Sequence, residues 1–175
     1  MNLFETIQAR QSIRAYAVTA IEPEKIEAIL QAALLAPSAG NTQAYQSHII
    51  ESKSIQRALA HAALQQDFIA QAPVVLAFCV LPARASRYGQ RGEHLYCVQD
   101  ATLAAGYAQL AAVAQGLASC WIGAFDEQAV GQLLDLPPGE RPIVLLPIGY
   151  AAERPTRPIR RPADDMVRRH SPQKE

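Results

Sequence analysis

Cysteine is scarce. The 175 residues include only Cys79, Cys97 and Cys120, odd in number, far apart and set in apolar surroundings. That excludes a disulfide framework and fits a reducing compartment. An excess of charge of one sign is missing too: sixteen Lys and Arg balance sixteen Asp and Glu. No whole-chain basic field therefore exists to hold nucleic acid. With 50% hydrophobic residues, the same balance argues against disorder. No stretch approaches the roughly 20 uncharged apolar residues of a membrane span. The start, Met1-Asn2-Leu3-Phe4-Glu5, has neither the basic residues nor the apolar run of a signal peptide. The expectation is a soluble, cytoplasmic protein without a membrane or nucleic-acid partner.

Several chemical signatures are absent. There is no Gly-x-Gly-x-x-Gly, no phosphate loop ending in Gly-Lys-Ser/Thr and no Gly-x-Ser-x-Gly elbow. His48, His61, His94 and His170 lack metal-ligand spacing with one another or with cysteine, so no metal site is expected. Aromatics are few (one Trp, six Tyr and four Phe), whereas alanine occurs 32 times. Ala-rich helices at close approach fit that mix better than a β-sandwich. The length favours one domain, 1–175, with a core that needs no disulfide or structural metal.

What is present orders itself along the chain. Asn2 and Glu5 read as a capping box that opens a short helix through about Ala9. Pro23 starts a second helix, with Ile26, Ile29, Leu30, Ala33 and Leu34 at helical spacing. A turn-rich loop over 37–42 precedes a strand from Tyr45 to Glu51. A third helix runs from Ser54 to about Leu64. The run from Val74 to Leu81 fits a strand buried on both faces. Residues 82–92, with Arg84, Arg87 and Arg91, read as a loop. From about His94 to Gln115 apolar residues surround almost the whole helical circumference, so burial on most sides, most simply in a dimer, is expected. Ser119–Gly123 reads as a short strand, Asp126 caps a helix to Leu134, and Ile143–Gly149 is a buried strand containing Pro147. Residues 152–175, with four prolines and seven basic residues, form an extended C-terminal arm. Strands interleaved with helices indicate a mixed α/β or α+β domain.

Four segments carry candidate chemistry. Arg10 and Arg14 are four apart, so a continuing helix would set both guanidiniums on one face with Ser12 near. Such forked donors suit a phosphate monoester, although a solvated helix end is the commoner meaning of so short a pattern. In Pro37-Ser38-Ala39-Gly40-Asn41-Thr42-Gln43, small residues admit a flat ligand to the backbone and the amides offer donors and acceptors. A plain helix-to-strand turn is the alternative. Gly123, after Cys120, Trp121 and Ile122, allows a backbone N–H to approach a ligand edge. Trp121 reads as core, and Cys120 as an inert thiol with no basic neighbour in sequence. The pair Arg160-Arg161 is the fourth, with a solvated charge pair as its alternative.

Taken together, the order and spacing of these segments resemble the nitroreductase-like family of FMN-dependent oxidoreductases. The resemblance rests on Arg10-x-Ser12-x-Arg14, Pro37-Ser38-x-x-Asn41-x-Gln43 and the central apolar helix. It extends to Gly-Leu-x-x-x-Trp-Ile-Gly at 116–123, Pro-Ile-Gly-Tyr at 147–150 and the Arg-Pro-rich arm. Ala44-Tyr45 stands where the family often has Pro-Trp, and Gln11 where a second arginine is common. These departures and the short chain bear on substrate and nicotinamide preference more than on flavin binding.

The resemblance implies an α+β sandwich, a mostly antiparallel sheet flanked by helices, in an intertwined homodimer with two FMN sites at the interface. It implies reduction by NADH or NADPH and ping-pong transfer to nitroaromatics, quinones or similar electron-poor acceptors. Arg10, Ser12 and Arg14 would hold the FMN phosphate and ribityl chain with Arg160 or Arg161. Pro37, Ser38, Ala39 and Asn41 would line the flavin from the partner subunit. Ile122 and Gly123 would sit beside the ring with a backbone N–H near N5. No catalytic side chain is implied. A non-catalytic flavin-binding partner or store, or a specialised flavin enzyme that dehalogenates or fragments its substrate, remains the alternative.

Overall fold

The computed structural model describes residues 1–170. Helix α1 (Leu3–Ala9) opens with a reciprocal capping box: Glu5 N–H donates to Asn2 Oδ1 at 3.0 Å, and Asn2 N–H to Glu5 Oε2 at 2.8 Å. Helix α2 (Pro23–Leu34) starts on proline, whose missing N–H costs nothing in a first turn. Then come β1 (Tyr45–Ile50), α3 (Lys53–Ala62), α4 (Phe68–Gln71) and β2 (Val74–Val80). The expected loop over 82–92 is instead helical throughout. It comprises 3-10 turns at Pro82–Tyr88, a single α turn α5 (Gly89–Arg91) and a π turn at Gly92–Tyr96. The π turn also delays the long helix, so α6 spans Cys97–Ala114 rather than starting near His94. Beyond it lie β3 (Ala118–Ser119), α7 (Glu127–Leu133), β4 (Arg141–Gly149) and, in the arm, α8 (Ala163–Met166). The strand expected over 119–123 is cut to β3, with Ile122 contributing an isolated bridge to Leu145. The end of the arm, 171–175, lies outside the described residues.

The strands pair antiparallel in the order β1-β2-β4-β3. All seven residues of β2 are buried, and their alternation explains the unbroken apolar run. Leu76, Phe78 and Val80 join Val144, Leu146 and Ile148 of β4 in one cluster, under α2 and α6. Val75, Ala77 and Leu145 point the other way, against Leu59 of α3 and Val130 of α7. A sheet covered by helices on both faces wants apolar side chains at every position, not every second one. The result is an α+β sandwich. Inside α6, Ala101, Ala104, Ala105, Ala108 and Ala112 are fully or almost fully buried. Their small side chains let the helix approach the sheet and α2 closely. Asp126 caps α7, accepting from Ala129 N–H at 2.9 Å. No helix among the described residues is long and apolar enough to cross a membrane.

Candidate functional site

The helix expected to continue through Arg14 does not. It ends at Ala9, and Arg10 turns to ψ 123°. The chain then runs extended beside β3, with Ser12 bridged to Ser119 and Ile13 N–H donating to Ser119 O at 3.1 Å. In extended backbone, alternate residues share a side. Arg10, Ser12 and Arg14 therefore line up with period two, while Ile13 is buried in the opposite direction. The intended grouping survives by a different geometry. Behind the segment, Tyr16 is buried and donates its hydroxyl to Ile13 O at 2.8 Å and Pro147 O at 3.2 Å. Burial, reinforced by Cys120 and Glu153, pushes the Tyr16 phenol well above its ordinary pKa, so it serves as a neutral strut.

Arg10, Ser12 and Arg14 line a cavity of about 710 Å³ together with Arg157 and Arg160 of the arm. Four arginines and no acidic side chain line it. Arg160 is the arm residue that reaches it. Arg161 is not in the lining, and its guanidinium donates to Asp165 O at 3.1 Å. Cys120 has cationic neighbours that sequence order concealed. Burial leaves its thiol raised on balance, opposed in part by the Arg14 guanidinium, the Ser12 hydroxyl and the Arg10 guanidinium. Glu153 accepts from the Arg14 backbone N–H and leaves the guanidinium free for the cavity.

The loop after α2 is the second half of the site. Gly40, Asn41 and Gln43 all adopt left-handed φ, at 51°, 57° and 46°. Such a run persists only when its surroundings fix it. The chief support is Asp100 of α6, 2% exposed. Its carboxylate accepts from Ala39 N–H at 2.9 Å, Thr42 Oγ1 at 3.0 Å and Ala44 N–H at 3.2 Å. From the outside, Arg84 donates to Thr42 O at 3.2 Å and Arg87 to Gly40 O. The left-handed φ favours glycine at 40, and a Cβ there would also push aside the ends of the Tyr88 and Arg87 side chains. Asn41 and Gln43 spend part of their polarity on each other, through a 3.0 Å amide bond. Pro37, Ser38 and Ala39 line a separate, mostly apolar cavity of about 470 Å³ with Tyr96, Val98 and Leu103. Sequence reasoning missed Asp100. The available signal was one carboxylate in a helix otherwise rich in alanine.

The two cavities share no lining residue. Ile122 is buried, and its N–H is committed to Leu145 O at 3.0 Å. Gly123, exposed and with open space around its Cα, is the residue of the pair that a ligand can approach.

The chain is thus an α+β sandwich with an arginine-lined cavity and a loop of small residues fixed from behind. The comparisons name the class. The family model described as "Nitroreductase family" matches residues 7–66 and 53–150, and the chain belongs to the nitroreductase family. A relative from Archaeoglobus fulgidus, provisionally named as an NADH dehydrogenase or NAD(P)H nitroreductase, is 30% identical over 82% of this chain and 82% of its own. The FMN reductase [NAD(P)H] of Bacillus subtilis is 29% identical over 93% of this chain and 71% of its own. The solved NADPH:FMN oxidoreductase of Vibrio harveyi, in complex with NAD+, superposes with a TM-score of 0.90 at 26% identity. It covers 99% of this chain and 79% of that one.

Proposed function

We propose that this chain is an FMN-dependent NAD(P)H oxidoreductase that reduces nitroaromatics, quinones and similar electron-poor acceptors. One observation carries the reading: the acid-free cavity of Arg10, Ser12, Arg14, Arg157 and Arg160. Guanidinium forks beside a hydroxyl are the donor set for a phosphate monoester, and the FMN phosphate fits it. FMN, when bound, supplies the redox chemistry, taking a hydride from the nicotinamide and returning electrons to the acceptor.

The protein's part is binding and positioning. Arg10, Arg14 and Arg160 neutralise the phosphate, and Ser12 adds a hydroxyl donor. Pro37, Ser38, Ala39 and Asn41 form a wall that Asp100 fixes in place. Gly123 admits a ring edge to the backbone. No side chain in either half is assigned as a proton donor.

The site is shared between two chains, the loop of one facing the arginines of the other. Three observations support this arrangement. The arginine and loop cavities are separate within one chain. The chain exposes 10633 Å², where a compact monomer of this mass exposes roughly 8,400 Å². Phe4 of α1 and Leu35 after α2 are 76% and 80% exposed, with Leu103 and Tyr107 of α6 partly so. An apolar surface of that kind marks an interface. The unit is then a single domain whose arm, at 155–160, lies beside the Arg10–Arg14 segment.

The test is spectral and kinetic. Purified protein reconstituted with FMN shows a bound-flavin band and oxidises NAD(P)H continuously with menadione or a nitroarene. Parallel double-reciprocal lines across acceptor concentrations mark two half-reactions in one pocket. Intersecting lines overturn that order of events, and failure to retain FMN overturns the cofactor.

A further inference from the structure

His48, Cys79 and Glu140 take no part in the site above, and their spacing along the chain is not that of a metal motif. The fold overrides the spacing. His48 pairs opposite Ala77, and Gln46 opposite Cys79, in the β1–β2 ladder. His48 and Cys79 are therefore diagonal neighbours on one face of the sheet. Glu140 closes on them from the turn before β4. One ligand atom from each lies within 4.8 Å of the other two. His48 Nε2 stands 2.5 Å from Glu140 Oε1. The sheet is irregular at this spot: the β2–β4 register shifts between Phe78 and Cys79, leaving Cys79 opposite Pro142. A bulge of this kind re-aims side chains.

We propose that His48, Cys79 and Glu140 form a zinc-binding site that ties β1, β2 and the start of β4 together. An imidazole, a thiolate and a carboxylate form the mixed nitrogen, sulfur and oxygen set that suits a borderline cation. Tetrahedral zinc bonds of about 2.0–2.3 Å place ligand atoms roughly 3.3–3.7 Å apart, within side-chain adjustment of the observed spread. Cys79 binds as thiolate and its proton passes to bulk water. Cys79 is fully buried and the Glu140 side chain is 5% exposed, while the His48 side chain is 29% exposed. The open side of the imidazole gives the ion its entry and a water its fourth position. Glu140 is the partner of both the His48 ring and the Cys79 thiol, so the three groups converge on one point. None of the three lines either cavity of the candidate site, so the proposal stands apart from the flavin reading.

Tag-free, flavin-loaded protein equilibrated with zinc and then dialysed carries one zinc per chain by elemental analysis. Zinc-edge X-ray absorption shows one sulfur at about 2.3 Å among nitrogen and oxygen neighbours at about 2.0–2.2 Å. Cys79→Ser removes the sulfur shell and weakens zinc binding at least about tenfold, the loss already typical of outer-shell partners. Glu140→Gln weakens it as well, and unchanged flavin content shows that both variants fold. Zinc far below one per chain, bound zinc without a sulfur neighbour, or undiminished zinc in Cys79→Ser overturns the site. Should neither variant fold, the wild-type sulfur shell decides alone.

Discussion

In the proposed site, the Arg10–Arg14 strand and the 37–43 loop meet the ligand with different parts of the chain. The strand is held by main-chain pairing to β3, so its side chains are left to the cavity. In the loop, side chains and backbone are occupied in holding the shape, through Asp100, Arg84, Arg87 and the Asn41–Gln43 bond. One half recognises by charge; the other recognises by a surface fixed from behind. The difference teaches where a mutation will be felt. On the strand it removes affinity and leaves stability; on the loop it removes both.

The sharpest way to break the comparison is to separate the halves onto different chains. Arg10→Ala damages one wall and Gly40→Trp the other. Co-expressed, doubly tagged heterodimers regain one intact site in two, so flavin content and turnover return to about half the wild-type level per chain. Heterodimers as inactive as both parents, or an active monomer by sedimentation, end the shared-site arrangement.

Asp100→Ala comes next. It strips the shared acceptor from the buried Ala44 N–H, the part-buried Ala39 N–H and the Thr42 hydroxyl. Unfolding stability falls by about 3–5 kcal/mol in denaturant titration. FMN and riboflavin are lost together, because the ring wall goes. A loss confined to FMN would contradict the division.

Arg10→Ala and Arg14→Ala have a smaller and more selective effect. Each weakens FMN by about 1.5–3 kcal/mol, the scale of one charge-assisted bond, with the unfolding midpoint unchanged. Riboflavin, without the phosphate, binds weakly to wild type and is indifferent to either change in fluorescence titration. Equal losses for both ligands would show that the strand holds the ring as well.

The smallest effect belongs to a group outside both halves. Glu22 has a pKa of about 2, held down first by the Tyr150 hydroxyl and also by its own backbone and Lys25. Tyr150 O–H donates to Glu22 Oε2 at 2.6 Å. A depressed carboxyl stabilises above its unfolded value near 4.5 and loses that contribution as pH falls toward 2. Tyr150→Phe flattens this part of the stability–pH curve slightly, the Glu22 side chain being solvent-screened, and alters neither FMN nor riboflavin binding.

Much of the frame was legible because its signals are local. The capping box at Asn2, Pro23 at a first turn, Asp126 before α7 and the apolar runs of β2 and β4 each state their element in a few residues. The Arg10–Arg14 pattern announces the grouping of its side chains but not the geometry that produces it. Residues at i, i+2 and i+4 satisfy a strand, while i and i+4 alone also satisfy a helix, and pairing with β3 chose between them. The helical turns over 82–96 lack periodicity long enough to announce themselves. Asp100 and the His48, Cys79 and Glu140 group depend on contacts between elements far apart in sequence, which no local pattern encodes.

The π turn at Gly92–Tyr96 has a consequence for the loop over 37–43. Arg84 and Arg87 grip the loop from before that turn, and Asp100 grips it from after. A π turn carries an extra residue relative to an α turn, and one residue is about 100° of helical rotation. The turn thus sets the phase between two clamps on one object. Deleting a single residue from 92–96 would swing one clamp a quarter-turn or more out of alignment, with every gripping side chain still present.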